Sequence, residues 1–336
     1  MRNVTVVGAG SFGTALAMVL EAAGNKVQIW AREKNVVDSI NTQHKNPSYL
    51  SDLLLPESIE AYNDLEHCLR SQDMVVFATP SHTLREIAAK IKPCLDGHEV
   101  LVTVSKGIEN ETFKTMSQIL IEVMDGVTYE DNIGVLYGPS HAEEVARLRP
   151  TTVVAAAYSS RTARVIQETF MTPMFRVYAN NDVIGVEIGG SVKNIMAVAA
   201  GIIDGAELGD NAKAALITRG LHEMKRMGQM MGAHNDTFSG LTGMGDLIVT
   251  CTSAHSRNRY VGQQIGKGFK LNEIIESMNM VAEGIKTTKS VHDWAKKNNV
   301  EMPITEAVYH VLFDDVDPKD ALNRLMNRDP KDEKII

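Results

Sequence analysis

Gly8-Ala9-Gly10-Ser11-Phe12-Gly13 constrains this chain more than any other segment. It follows an apolar run, Asn3–Val7, that reads as a β-strand, and it opens a helical stretch, Phe12–Ala23. Strand, G-x-G-x-x-G turn and helix in that order are the setting in which the motif binds a dinucleotide. Each glycine has a separate reason. Gly8 permits the tight turn, Gly10 lets a pyrophosphate approach the backbone, and Gly13 lets helix and strand pack closely. The free N–H groups and positive dipole end of the helix then face the phosphates.

The rest of the first half repeats the pattern. Lys26–Trp30, Met74–Ala78, Val100–Val104 and Ile133–Leu136 read as further strands, with Leu84–Leu95 and Phe113–Met124 as helices between them. Continuous apolar strands alternating with helices predict a parallel, doubly wound sheet covered on both faces. Thr151–Ala157 and Phe175–Tyr178 extend it. The character changes near Asp182–Gly185, and no convincing strand follows. Ser191–Ile203, Asn211–Met231, Glu283–Lys297, Thr305–Phe313 and Lys319–Met326 read as helices. The expected fold class is an α/β Rossmann-type N-terminal domain over 1–185 plus an all-α C-terminal domain over 186–330. Residues 331–336 form a loose polar tail.

The second strand ends in Ile29-Trp30-Ala31-Arg32-Glu33. A carboxylate near this point suits the ribose 2′-OH of NAD, and a guanidinium suits the 2′-phosphate of NADP. Arg32 therefore favours NADP, and the adjacent Glu33 keeps NAD open. The bland alternative is a solvated loop arginine. Gly262-Gln263-Gln264-Ile265-Gly266-Lys267-Gly268 imitates a P-loop, but its glycine spacing is one short and no Ser or Thr follows the lysine.

Composition excludes several classes. The 336 residues are 44% hydrophobic and 23% charged, the profile of an ordinary folded chain of about two domains. A formal net charge of −8 argues against nucleic acid as a partner. Three widely spaced cysteines, Cys68, Cys94 and Cys251, form no disulfide or zinc pattern and fit a reducing compartment. No apolar run reaches the roughly 18 residues that span a bilayer, so no transmembrane segment is expected. The apolar stretch after Arg2 imitates a signal peptide, but Gly8, Gly10 and Gly13 interrupt it. No metal-ligand spacing is found, and His141 and His222 are taken as structural.

Chemistry-bearing residues cluster in three places. Lys106 follows the strand Val100–Val104 in Ser105-Lys106-Gly107, and ligands bind beyond strand carboxyl ends in open α/β sheets. Lys193 lies, on this reading, early in the first helix of the second domain, beside Gly189-Gly190-Ser191 and ahead of an apolar run. A lysine there is costly to bury without a role, unless it snorkels from a helix end. Gly243-Met244-Gly245-Asp246 suggests a close-approach loop, with a helix N-cap as the alternative for Asp246. Ser256-Arg257-Asn258 supplies donors suited to phosphate oxygens.

Together these segments resemble the bacterial NAD(P)-dependent glycerol-3-phosphate dehydrogenase family. The resemblance rests on Gly8–Gly13, Ser105–Gly107, Gly138–Glu143, Gly189–Asn194, Gly240–Leu247, Ser256–Arg259 and Val281–Gly284. They span nearly the whole chain in family order. It implies reversible reduction of dihydroxyacetone phosphate to sn-glycerol 3-phosphate, supplying phospholipid synthesis, by a cytoplasmic homodimer. It implies Lys193 as the proton donor and acceptor. Substrate would be bound by Lys106, Gly138, Ser140, Lys193, Asp246, Ser256, Arg257 and Asn258. The cofactor would be bound by Gly8, Gly10, Ser11, Phe12, Gly13, Arg32, Lys106, Ala142, Arg257, Val281 and Glu283. Two other readings stay open on the residues alone: a related dehydrogenase for another small anionic acid, and a non-catalytic dinucleotide sensor.

Overall fold

The computed structural model describes residues 1–278, 282–330 and 332–333. The chain divides into two compact units, Met1–Lys106 with Met116–Val183, and Gly107–Thr115 with Ile184–Ile336. The sequence alone predicts a first domain unbroken over 1–185. Gly107–Thr115 instead belongs to the second unit, where Ile108 and Thr115 form an isolated antiparallel bridge.

The first unit contains β1 (Asn3–Val7), α1 (Ser11–Ala22), β2 (Lys26–Trp30), α2 (Lys34–Gln43), β3 (Glu60–Tyr62), α3 (Leu65–Leu69) and β4 (Met74–Phe77). It continues with α4 (Leu84–Ile91), β5 (Val100–Thr103), α5 (Met116–Val123), β6 (Ile133–Tyr137), α6 (Ala142–Ala146), β7 (Thr151–Ala157), α7 (Ser160–Phe170) and β8 (Phe175–Asn180). The eight strands form one sheet in the order β3-β2-β1-β4-β5-β6-β7-β8. Every residue of β4 and β6 is buried, as continuous apolar runs require when both faces are covered.

Three details depart from the expectation. β7 pairs antiparallel with β6, so the sheet is parallel-dominant rather than wholly parallel. The strand β3 is only three residues long, too short to register as a periodic run. The helix expected over Phe113–Met124 starts at Met116, because Phe113 sits at a φ of +59°.

The second unit is helical: α8 (Val183–Gly205), α9 (Asp210–Met230), α10 (Asp246–Thr252), α11 (Arg257–Gly266), α12 (Leu271–Ser277), α13 (Glu283–Asn298), α14 (Pro303–Phe313) and α15 (Pro318–Met326). α8 is its axis. This helix is long and apolar enough to cross a membrane by length and composition, but its most apolar 18-residue window is 100% buried inside the protein. A helix apolar all round is what a core position demands. α9 buries Leu216, Gly220, Met224 and Met227 at helical spacing, and the side chain of Met196 on α8 lies where a Cβ on Gly220 would sit.

Glycines let α11 lie directly on α8. A Cβ on Gly201 would overlap the Arg259 carbonyl, one on Gly205 the Gln263 carbonyl, one on Gly262 the Val198 carbonyl, and one on Gly266 the Ile202 carbonyl. Each helix thus presents two glycines four residues apart to the other's backbone. The spacing that imitated a phosphate loop is a helix-packing seam.

Candidate functional site

In the first unit, the glycine turn has the shape a dinucleotide needs. Gly8 has a φ of +117°, and a Cβ there would lie 2.8 Å from the Ala78 carbonyl oxygen. A Cβ on Gly13 would collide with the Gly8 carbonyl and lie 3.1 Å from the Ala78 side chain. Gly10 is different: a Cβ there meets nothing within 4 Å. Open space therefore lies in front of the α1 N-terminus, where Gly10 is the N-cap and Ser11 and Phe12 are the first helical residues. That space at the positive end of the helix dipole fits a pyrophosphate.

Asn46, which the sequence reading did not single out, braces this turn. It is fully buried. Its Nδ2 donates to the Ala9 carbonyl at 2.8 Å and to Thr14 Oγ1 at 2.9 Å, while its Oδ1 accepts from the backbone N–H groups of Ser48 and Tyr49. Only its place before Pro47 marks it in the sequence, and that is a turn signal rather than a contact signal.

Arg32 follows β2 on the surface. Its Nε and Nη2 both donate to Glu33 Oε1, at 2.9 and 2.7 Å. Farther along the sheet, Lys106 Nζ donates to the Gly138 carbonyl at 3.1 Å and lies 5.6 Å from the centre of the Tyr137 ring. Ser140 Oγ donates to the same carbonyl at 3.1 Å. The Tyr137 hydroxyl donates to the Ser105 carbonyl, and Ser105 Oγ donates to the Thr79 carbonyl at 2.5 Å. Lys106, Gly138 and Ser140 thus form one cluster at the carboxyl ends of β5 and β6. Ala142 opens α6 and packs against the core.

In the second unit, Lys193 is not near a helix start. It sits in the middle of α8, because Gly189 and Gly190 lie inside the helix rather than before it. Gly189 is needed there: a Cβ would overlap the Thr242 carbonyl, so the backbone of the turn Leu241–Gly245 reaches α8. That turn is π-helical, a geometry that recurs at functional sites. It leads into α10, whose first residue is Asp246.

Lys193 and Asp246 are buried and form an ion pair. Lys193 Nζ also donates to Thr250 Oγ1 at 2.8 Å, and Thr250 Oγ1 donates to the Asp246 carbonyl at 2.6 Å. Snorkelling does not describe this lysine, and Asp246 is not an N-cap, since Gly245 holds that position. Thr250, one turn beyond Asp246, was missed; its signal is i+4 spacing from a carboxylate. Cys251 next to it is no nucleophile, because burial pushes its thiol up to about 12.

Ser256 caps α11 by accepting from Arg259 N at 3.2 Å. Arg257 is exposed and makes no side-chain hydrogen bond or ion pair among the described residues. Asn258 is buried; its Nδ2 donates to Asn194 Oδ1 at 3.0 Å, and its Oδ1 accepts from Gly284 N at 2.9 Å. This bond sets the Lys193-Asn194 and Arg257-Asn258 segments side by side and ties both to the start of α13, where Glu283 is the first helical residue. Arg259 and Lys213 both pair with Asp204, anchoring α11 and α9 to the end of α8. Val281 lies outside the described residues.

Other titratable groups fall elsewhere. His222 on α9 is lowered, chiefly by burial and then by Arg219. Asp96, His98 and Glu99 place ligand atoms within 4.8 Å of one another, but both Glu99 oxygens already accept backbone N–H groups, each at 2.8 Å.

Known proteins match both units. Residues 3–163 match the NAD-dependent glycerol-3-phosphate dehydrogenase N-terminus, and residues 182–323 match its C-terminus. A glycerol-3-phosphate dehydrogenase [NAD(P)+] of Salinibacter ruber is 54% identical over 100% of this chain and 98% of its own length. One from Chlorobium limicola is 49% identical over 98% of this chain and 99% of its own. The crystal structure of glycerol-3-phosphate dehydrogenase from Coxiella burnetii superposes with a TM-score of 0.92 at 38% identity, covering 97% of this chain and 99% of that one.

Proposed function

The chain belongs to the NAD-dependent glycerol-3-phosphate dehydrogenase family, and from that premise we propose that Lys193 is the acid-base group of its reaction. The reaction is the NAD(P)-dependent reduction of dihydroxyacetone phosphate to glycerol 3-phosphate, and it is reversible. The bound dinucleotide supplies the hydride. Lys193 gives its proton to the former carbonyl oxygen and takes it back in the oxidative direction. The observation that carries this reading is a buried ammonium in the middle of an apolar core helix. Such a charge is expensive to bury.

The neighbours support the assignment. Asp246 and Thr250 hold the ammonium in one place. Asp246 neutralises the resting charge, and a cation fixed in a dry setting stabilises an alkoxide-like oxygen strongly. Arg257 is a fork of donors with no competing carboxylate among the described residues, which suits the substrate phosphate. Ser256, Asn258, Lys106, Gly138 and Ser140 are assigned to substrate with it. Gly8, Gly10, Ser11, Phe12, Gly13, Arg32, Lys106, Ala142, Arg257, Val281 and Glu283 are assigned to the cofactor. Of the two cofactors, NADPH is preferred on the strength of Arg32. We place the protein in the cytoplasm as a homodimer; three free cysteines and the net charge of −8 suit a reducing, aqueous compartment.

The test is an NADPH oxidation assay with dihydroxyacetone phosphate against a panel of small keto acids. Turnover confined to the phosphorylated ketone is expected. Comparable turnover with an unphosphorylated keto acid would overturn the substrate assignment, and NADPH binding without turnover of any of them would favour a sensor.

A further inference from the structure

Arg32 is not presented bare to a ligand. Two of its five N–H donors are spent on a single oxygen of Glu33, the next residue in the chain. Glu33 occupies the N-cap position of α2, yet its side chain makes no capping hydrogen bond, so the helix places no claim on its carboxylate. The guanidinium is held charged, first by the hydrogen bond to Glu33 and then by that carboxylate's charge.

Tyr49, half-buried, lies on the segment that follows α2. Its backbone N–H is bound at 3.1 Å by Asn46 Oδ1, and Asn46 is the residue clamped onto Ala9 and Thr14 in the glycine turn. That brace ties the segment after α2 to the glycine turn, and the pair itself lies in the short link between β2 and α2.

We propose that Glu33 is a specificity-determining residue that holds the enzyme between its two cofactors by occupying Arg32. This rests on the dehydrogenase reading above. A 2′-phosphate that takes the Nε–Nη2 edge of the guanidinium must displace the Glu33 carboxylate, and one that takes the remaining donors still sits beside that negative charge. A 2′-hydroxyl meets neither obstacle, and the same carboxylate can accept its hydrogen bond. One residue thus weakens NADP and serves NAD, and Arg32 does the reverse. Because the pair is exposed, the effect is moderate and falls with ionic strength.

The experiment is fluorescence titration of NADPH and NADH into the wild type, Glu33→Gln and the double variant Arg32→Ala/Glu33→Gln, at low and at high salt. Glu33→Gln should bind NADPH roughly three- to tenfold tighter at low salt. The gain should shrink at high salt. NADH binding should stay level or weaken, and in the double variant the NADPH gain should vanish. The proposal is overturned if Glu33→Gln binds NADPH no tighter than the wild type at low salt. It is also overturned if both dinucleotides tighten equally, which would report only a general loss of negative charge, or if the gain survives without Arg32. A wild type that binds neither dinucleotide would instead remove the dehydrogenase reading itself, so the two failures are distinguishable.

Discussion

Each unit carries one ion pair to which a functional role is proposed above, and the two sit at opposite extremes of solvation. Lys193 and Asp246 have side chains 7% and 1% exposed. Arg32 and Glu33 have side chains 83% and 47% exposed. In the first pair both charges have left water, so each depends on the other, and removing one partner strands a buried charge at about 3–5 kcal/mol. In the second pair water does most of the stabilising, and the pair itself is worth roughly 0–1 kcal/mol. On the assignment proposed above, the buried pair holds the proton donor in one place. The exposed pair gives an adjustable contact that a ligand can break cheaply. Chemistry needs the first property, and tolerance of two cofactors needs the second.

The sharpest way to break the comparison is Lys193→Ala. Loss of general acid-base catalysis should lower turnover about 10²–10⁴-fold, with the lost electrostatic stabilisation added to that. NADPH affinity by fluorescence titration should be kept, because Lys193 is not among the residues assigned to the cofactor, and the glycine turn and Arg32 belong to the other unit. Turnover above roughly a tenth of wild type with normal NADPH binding would remove Lys193 as the acid-base group. Loss of NADPH binding as well would mark the lysine as structural. Thermal stability should fall too, since the buried Asp246 loses its ion-pair partner.

Glu223 asks what a buried charge costs when hydrogen bonds replace an ion-pair partner. It lies on α9, and its carboxylate accepts from Ile304 N at 2.5 Å, Thr305 N at 3.1 Å and Thr305 Oγ1 at 2.9 Å, capping α14. Burial pushes it up to about 7 from 4.5, against those three hydrogen bonds and Arg226. A carboxyl raised on folding contributes stability that is full below its unfolded value and is lost as pH rises through its folded value. Stability should therefore decline between about pH 4.5 and 7 by about 3 kcal/mol at most. In Glu223→Gln that slope should flatten, whatever the change in absolute stability. Urea melts at a series of pH values give the slope, and an unchanged slope would show that Glu223 does not titrate there.

The same contrast explains what was legible. In the first unit, strand, glycine turn and helix are contiguous in sequence, so the cradle and all strands but β3 could be read directly. In the second, the decisive contacts join residues far apart in the chain. Gly189, Gly201, Gly205, Gly262 and Gly266 serve close approaches between segments, and such a glycine looks locally like a turn or a phosphate loop. That is why the sequence alone points to a helix start near Lys193. Its partner Thr250 and the Asn194–Asn258 brace carry no local pattern at all. The resemblance to a family named the residues, but not the burial of Lys193 and Asp246.

Arg257 lies between the extremes, exposed yet fixed at the first turn of a helix that α8 holds by its backbone. Arg257→Ala should raise KM for dihydroxyacetone phosphate roughly 10- to 100-fold, the range of one charge-assisted contact. The unphosphorylated ketone should be a poor substrate for the wild type and should lose little more. Equal discrimination between the two ketones in variant and wild type would place phosphate recognition elsewhere.

The smallest effect belongs to Arg32→Ala. The variant should weaken NADPH more than NADH, since only NADPH carries the 2′-phosphate. Two features limit the loss to roughly tenfold or less. The guanidinium is almost fully in water, where salt screens it, and part of its attraction for a phosphate is already spent on Glu33. Removing Arg32 also frees the Glu33 carboxylate to accept the ribose hydroxyl of NADH, so NADH affinity should hold or improve slightly. The ratio of the two dissociation constants, measured at low salt, is the quantity to follow. An unchanged ratio would show that Arg32 does not read the phosphate, and the exposed pair would then be an ordinary surface contact.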